Sequence, residues 1–205
     1  MTRILVFGDS IAFGDCDNKG GWVQRLRECL YKYDVSVYNL SISGDTTDGV
    51  LERFDFETKQ RLNTEKELLI LFAIGINDSR MDHSKKDQSV NLKDFKTNLK
   101  EIIRLARKHA SKIVFIGLTP VDESKTTPIP WIEGIDYNNN YVKEYNDSIK
   151  TICDKEKIPF IDIYEEFRKQ DYKALLEGGL HPNSEGHELM FQIIKEFLVK
   201  RKLIQ

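Results

Sequence analysis

The sequence predicts an α/β chain: a five-stranded parallel sheet with helices on both faces. Three observations carry that expectation. Ile4-Leu5-Val6-Phe7, Leu68 through Ile74, and Ile113-Val114-Phe115-Ile116 are continuous apolar runs, the pattern of strands buried on both faces. The segments between them carry apolar residues at helical spacing. Turns bearing glycine and polar residues close the runs, and strands alternating with helices in this way form parallel sheets.

In chain order, residues 4–7 give way to Gly8-Asp9-Ser10. Trp22, Val23, Leu26 and Leu30 place an amphipathic helix over residues 20–31. Val35, Val37 and Leu40 mark a second strand. Ser43-Gly44-Asp45-Thr46 reads as a turn and helix cap ahead of a helix through Val50, Leu51 and Phe54. Leu68 to Ile74 is the strongest strand signal and hence central, closed by Gly75. Leu92, Phe95, Leu99, Ile102, Ile103 and Ala106 set a helix that runs on to His109. Residues 113–116 form the fourth strand, stopped by Gly117 and Pro120. Pro120, Pro128, Pro130, Trp131 and Gly134 make 120–138 a long loop, a feature often tied to function. Tyr141, Tyr145, Ile149 and Ile152 give another helix, Pro159 to Ile163 the fifth strand, and Tyr164 to Leu176 a partly helical stretch. After the turn Gly178-Gly179-Leu180-His181-Pro182-Asn183, Ser184 caps a last helix through Leu189, Ile193, Ile194, Phe197 and Leu198.

At 205 residues the chain fits one domain spanning 1–205. With 31 basic and 33 acidic residues, mixed along the chain, no electrostatic footprint favours nucleic acid. Cys16, Cys29 and Cys153 form no close pair and no metal-ligand spacing, which points to a reducing compartment. The opening apolar run is too short for a secretory leader, and no stretch reaches the length of a membrane span. A cytoplasmic protein without stable membrane insertion is expected; oligomeric state has no signal in the sequence.

Parallel α/β sheets place their sites beyond the carboxyl ends of the strands. Asp9-Ser10 follows strand one, Ser43-Gly44 strand two and Asn77-Asp78 strand three, while His181 precedes the last helix. Four distant segments therefore converge on one rim. Ser10 is the candidate nucleophile, and a serine hydroxyl needs a base. Of the four histidines, His109 ends a basic helix, His83 lies in a polar loop and His187 falls inside the last helix as a structural or solvent-facing residue. His181, between Gly178-Gly179 and Pro182, is the best base. Attack on an ester creates an oxyanion, for which the Ser10 N–H, the Gly44 N–H and the Asn77 amide are candidate donors. Taken singly, Gly44 serving a left-handed turn and Asn77 capping a turn stay open. Asp9 and Asp78 read first as acceptors of backbone donors; nothing in the spacing of Asp9, Asp45 and Asp78 demands a metal. The first turn lacks the glycine-rich loop and lysine of a phosphate site. No cofactor and no metal are expected. Ile129, Trp131 and Ile132 either line a substrate pocket or pack their loop onto the body.

These residues form a pattern that resembles the SGNH hydrolase superfamily, the GDSL-type esterases and lipases. Its four blocks match Gly8-Asp9-Ser10, Ser43-Gly44-Asp45-Thr46-Thr47, Gly75-Ile76-Asn77-Asp78 and Gly179-Leu180-His181-Pro182-Asn183 with Gly186-His187, across nearly the whole chain. The resemblance implies a three-layer α/β/α sandwich, flavodoxin-like, with a five-stranded parallel sheet. It also implies Ser10 as nucleophile, Ser10, Gly44 and Asn77 as the oxyanion hole, and His181 as base. The implied reaction is hydrolysis of carboxylic esters through a Ser10 acyl-enzyme, on short acyl or acetyl esters of small molecules. A thioesterase or lysophospholipase-type acylhydrolase is the alternative within that class. One departure stands out: the family's aspartate three residues before the histidine falls on Gly178. Glu177 could orient His181 instead, with Asp122, Asp162 and Glu165 as further candidates; a backbone carbonyl could hold a serine–histidine dyad; or the chain could be a weakly active or inactive ligand-binding module.

Overall fold

The computed structural model describes residues 2–62, 67–110 and 112–204. Five strands, β1 (Thr2–Gly8), β2 (Val35–Asn39), β3 (Glu67–Ala73), β4 (Lys112–Ile116) and β5 (Phe160–Ile161), form one sheet in the order β2-β1-β3-β4-β5. Every pairing in it is parallel. The helices are α1 (Ser10–Phe13), α2 (Gly21–Leu30), α3 (Thr47–Lys59), α4 (Leu92–Ala106), α5 (Glu123–Thr126), α6 (Asn139–Glu156), α7 (Ile163–Arg168) and α8 (Ser184–Lys200). The chain steps one way from β1 to β2, then reverses across the sheet. Right-handed crossovers therefore put α2 on one face and α3, α4 and α6 on the other. The helix contacts agree: α2 packs on α8, while α3 packs on α4 and α4 on α6. The result is the three-layer α/β/α architecture.

The three core strands are apolar on both sides because both sides are covered. Ile4 to Phe7 and Leu69 to Phe72 are fully buried. Phe7 packs on Phe54 of α3 at 4.9 Å between ring centres, and Phe72 on Phe115 at the same distance. Each such ring contributes about 1.5–3 kcal/mol by leaving water. No helix among the described residues is long and apolar enough to cross a membrane.

Register explains the rim. Val6 lies level with Asn39 and Gly8 with Ala73, so the chain leaves β1, β2 and β3 at similar height. Segments 9–15, 40–46 and 74–79 consequently meet above one edge. The loops at 79–91 and 120–138 also join each other: Met81-Asp82 pairs with both Asp87-Gln88 and Ile135-Asp136.

Some local expectations shift. The helix from Leu92 stops at Ala106, and His109 turns back so that its Nε2 lies 2.7 Å from Asp55 of α3. The cap of α8 is Asn183, whose side chain accepts from the Glu185 and Gly186 N–H groups, with Ser184 the first helical residue. Thr46 gives α3 no side-chain cap; the Asp78 carboxylate reaches across from the β3 turn to accept the Thr47 N–H at 3.0 Å. A buried cation ties the two ends of the chain together. Arg25 of α2 donates to the Asp17 carboxylate, to the Gly21 carbonyl at 3.0 Å, to Glu188 at 3.0 Å and to the Ser184 hydroxyl at 3.0 Å. The last two acceptors belong to α8.

Candidate active site

Asp9 ends β1 in extended conformation and caps α1, its carboxylate accepting the Ile11 N–H at 3.0 Å. Ser10 is thereby set as the first residue of a helix. Its N–H has no acceptor within that helix, and its side chain stands at the rim, 6% exposed. His181 comes from the other end of the chain, on a short antiparallel ladder in which His181-Pro182 pairs with Leu176-Glu177. Asn183 anchors that ladder, donating its N–H to Leu175 at 2.9 Å and its amide to Ala174 at 2.8 Å. The ladder delivers His181 Nε2 to 2.9 Å from Ser10 Oγ, across 171 residues of sequence. Burial lowers the His181 pKa below its ordinary value, partly opposed by the Asp15 carboxylate. The ring is therefore neutral near pH 7, and Nε2 can accept the serine proton.

Gly44 stands in the turn after β2. Its φ is +83°, and a side chain there would meet nothing within 4 Å. Glycine is required by backbone angle and not by space. The turn closes with the Asp45 N–H on the Ile42 carbonyl, a bond that does not involve the Gly44 N–H. Beside it the Ser43 hydroxyl donates to Asp15 at 2.7 Å. Asn77 is held at both ends of its amide: Nδ2 donates to the Asp45 carbonyl at 2.9 Å, and Oδ1 accepts from the Tyr137 hydroxyl at 2.7 Å. The Tyr137 hydroxyl in turn sits against the Arg80 guanidinium. This fixes which end of the amide carries the N–H groups and leaves the second Nδ2 hydrogen uncommitted by these contacts. Nothing local in the sequence marks Tyr137 or Arg80 for this work, because they meet Asn77 only through the paired loops.

The acidic residues divide among separate tasks. Burial pushes the Asp9 carboxyl up to about 8 against its capping bond, and burial likewise pushes Asp78 up to about 7 against its bonds from Thr47. Asp45 pairs with Arg53 at 2.6 Å. Among the described residues no group of acidic, histidine or cysteine side chains is arranged to hold a metal ion. Asp122 pairs with Lys173 and Asp162 with Lys150, each at 2.9 Å, and the nearest cation to Glu165 is Lys143 at 3.9 Å. Glu177 is the direct ladder partner of His181, yet its side chain is exposed and makes no hydrogen bond to the ring among the described residues. The carboxylate whose charge reaches the imidazole is Asp15, which the sequence did not single out.

The other histidines stand apart from Ser10. His83 pairs with Asp136 at 2.7 Å on the joined loops. His187 is fully buried in the first turns of α8, and burial drives its pKa down to about 4, so it is a neutral structural ring and not a solvent-facing one. Of the three loop residues expected near a pocket, Ile129 is buried at 2% exposure and bonded to Ile135, so it packs the loop. Trp131 and Ile132 remain exposed. Trp131 lies beside His181, ring centres 6.4 Å apart and planes within 25°.

A hydroxyl on an imidazole, with a glycine turn and a clamped amide alongside, thus stands at the carboxyl rim of the parallel sheet. Residues 6–189 match the GDSL-like lipase/acylhydrolase family, and the chain belongs to it; it is an ester-hydrolysing enzyme. The chain is 24% identical to an isoamyl acetate-hydrolyzing esterase 1 homolog of Bos taurus, over 97% of this chain and 82% of that one. It is 24% identical to an arylesterase of Vibrio mimicus, over 97% of this chain and 88% of that one. The crystal structure of the lipase/acylhydrolase from Enterococcus faecalis superposes with a TM-score of 0.79 at 23% identity, covering 98% of this chain and 97% of that one.

Proposed function

We propose that the protein hydrolyses carboxylic esters of short acyl groups through an acyl-enzyme on Ser10. The observation that carries this reading is the 2.9 Å approach of His181 Nε2 to Ser10 Oγ, with the ring held neutral by burial. Ser10 Oγ attacks the ester carbonyl as its proton passes to His181 Nε2. The Ser10 and Gly44 N–H groups and the Asn77 amide receive the oxyanion. Collapse breaks the bond to the alcohol, which leaves with the proton from His181. Water, deprotonated by the same nitrogen, then attacks the acyl carbon and releases the acid and Ser10. A relative named for hydrolysing isoamyl acetate supports a small acyl group. The buried apolar residues form one cluster, which supports a single domain across 1–205.

The direct test is covalent. A fluorophosphonate should add its phosphonyl group to Ser10 in the intact protein, read by mass spectrometry of the peptide, and leave Ser10→Ala unmodified. A wild-type Ser10 that stays unlabelled under conditions where a control serine hydrolase reacts would favour a ligand-binding module. That second reading has one observation on its side: Gly178 where the family carries its acid.

Two further outcomes follow from the geometry. His181 acts as base only when unprotonated, and burial holds its pKa below the ordinary value. The acid limb of kcat/KM should thus have its midpoint below about 6.5, with activity rising with pH and flat by neutrality. A midpoint above that value would mean the ring is stabilised as a cation. Tyr137→Phe removes the donor that fixes the Asn77 amide. It is expected to lower kcat about ten-fold with KM and the acid limb little changed, a fraction of what loss of a whole oxyanion donor costs. An unchanged kcat would show that the Asp45 carbonyl alone holds the amide.

A further inference from the structure

Gly178 and Trp131 pose one question between them. Gly178 stands three residues before His181, in a left-handed conformation with φ +59°. A Cβ built there would lie 3.2 and 3.3 Å from Cη2 and Cζ3 of Trp131, closer than carbon atoms pack without adjustment. The indole thus lies against Gly178 and crowds the space a residue-178 side chain would enter, so that one of the two would have to give by a few tenths of an ångström. The same indole runs nearly parallel to the His181 ring, 25° between planes. It stays half exposed, at 49%, and the paired loop that carries it is tied to the histidine hairpin by the Asp122 N–H on the Gly179 carbonyl at 2.8 Å. By contrast Glu177, the one carboxylate on the hairpin, makes no hydrogen bond to the ring.

We infer that Trp131 is the positioning residue for His181, an aromatic wall standing where a side chain at 178 would otherwise hold the imidazole. This rests on the reading of Ser10 and His181 as nucleophile and base. The wall restricts the ring to the orientation that meets Ser10 and shields it from water. A carboxylate at 178 and the indole of Trp131 crowd each other, so a carboxylate there reaches the ring freely only when the indole is removed. The consequence for the chemistry is a serine–histidine pair without a third acid. The imidazolium formed during attack then has no carboxylate hydrogen-bonded to its far nitrogen, only the more distant charge of Asp15, and turnover is set below that of an equivalent triad.

The titratable groups facing His181 are Asp15 from the turn after α1, Glu177 across the ladder and His187 from α8. All stay in place when Trp131 is changed, so a pH shift reads the indole. In full-length Trp131→Ala, kcat on a short p-nitrophenyl ester should fall about ten-fold, and the acid limb should move upward toward the ordinary histidine value of about 6.5 as the ring gains solvent. Trp131→Phe should restore both. Gly178→Asp in the wild-type background should bring no gain. In the Trp131→Ala background the same change should raise kcat at least about ten-fold, because the carboxylate now has room to pair with the ring, and Gly178→Asn there should not. Asp and Asn both tolerate left-handed backbone, and thermal melting of each variant shows that it is folded. An acid limb and kcat unmoved in Trp131→Ala overturn the inference. So does a Gly178→Asp gain of equal size with and without Trp131, or no gain in the double variant. Fluorophosphonate labelling of wild-type Ser10 separates the two levels: without it the serine reading fails, and with it a negative result falls on Trp131 alone.

Discussion

Replacing Ser10 with alanine is expected to lower kcat for short acyl esters by about 10⁴-fold or more, since the step that makes the acyl-enzyme loses its nucleophile. His181→Ala should cost a similar factor, and the double variant little more than either, because two groups that share one proton act as a unit. Some catalysis over water should remain in all three. The Gly44 turn and the clamped Asn77 amide do not depend on the Ser10 hydroxyl, and preorganised donors still favour a developing oxyanion. Folding should be nearly untouched. Ser10 leaves its cap to Asp9, and alanine suits the first turn of a helix. Initial rates on p-nitrophenyl acetate with a melting curve on each variant check both halves. Retention of more than a few per cent of wild-type kcat in Ser10→Ala would place the nucleophile elsewhere.

The second large effect is on stability. Arg25→Met should cost about 3–5 kcal/mol, the range for removing one partner of a buried ion pair. Arg25 is 8% exposed and the Asp17 side chain is wholly enclosed. Without the guanidinium, Asp17 keeps its bonds from the Gly21 and Lys19 N–H groups but is left as a buried charge, and Ser184 and Glu188 on α8 lose their donor. Burial by itself would raise the Asp17 carboxyl, but the bond from Arg25, with those from the Lys19 and Gly21 N–H groups and Ser184, together hold it well below the usual carboxylate range. A carboxyl depressed in this way contributes stability above its unfolded value of about 4, and that stability is lost as pH falls through the folded value. The gap between wild type and Arg25→Met in urea midpoint should accordingly be widest near neutral pH and narrow on acidification. Asp17→Asn added to Arg25→Met should recover part of the loss, a coupling expected of residues in one network. A gap independent of pH would mean that the methionine side chain, and not the orphaned carboxylate, is at fault.

What the sequence makes legible here is whatever repeats locally or sits at a strand end. Unbroken apolar runs such as Leu69 to Phe72 are visible because both faces of the sheet are covered. Ser10, Gly44 and Asn77 stand out because each follows a strand at the same rim, and His181 because it lies between a Gly-Gly pair and Pro182 just before the last helix. The supports behind them are of another kind. Tyr137 reaches Asn77 across 60 residues and Arg25 reaches Glu188 across 163. An arginine on an amphipathic helix has no local mark separating a buried ion pair from a solvated face. Nor does a glycine at 178 reveal that an indole from another loop stands over it. The small errors have the same origin. Ser184 and Asn183 are both good caps, and only the path of the hairpin decides between them. His187 shows neither its burial nor its neutrality until α8 is docked on α2.

The contact between Ser10 and His181 joins segments 171 residues apart in a chain of 205. During synthesis Ser10 leaves the ribosome well ahead of His181, its proposed base. A nascent chain can complete the sheet through β5 and still be chemically silent, because α8 and the hairpin before it have yet to close on α2. Closing so long a loop is also a slow step in folding. On the proposed mechanism, the appearance of full esterase activity during refolding therefore times the docking of α8 and the hairpin before it.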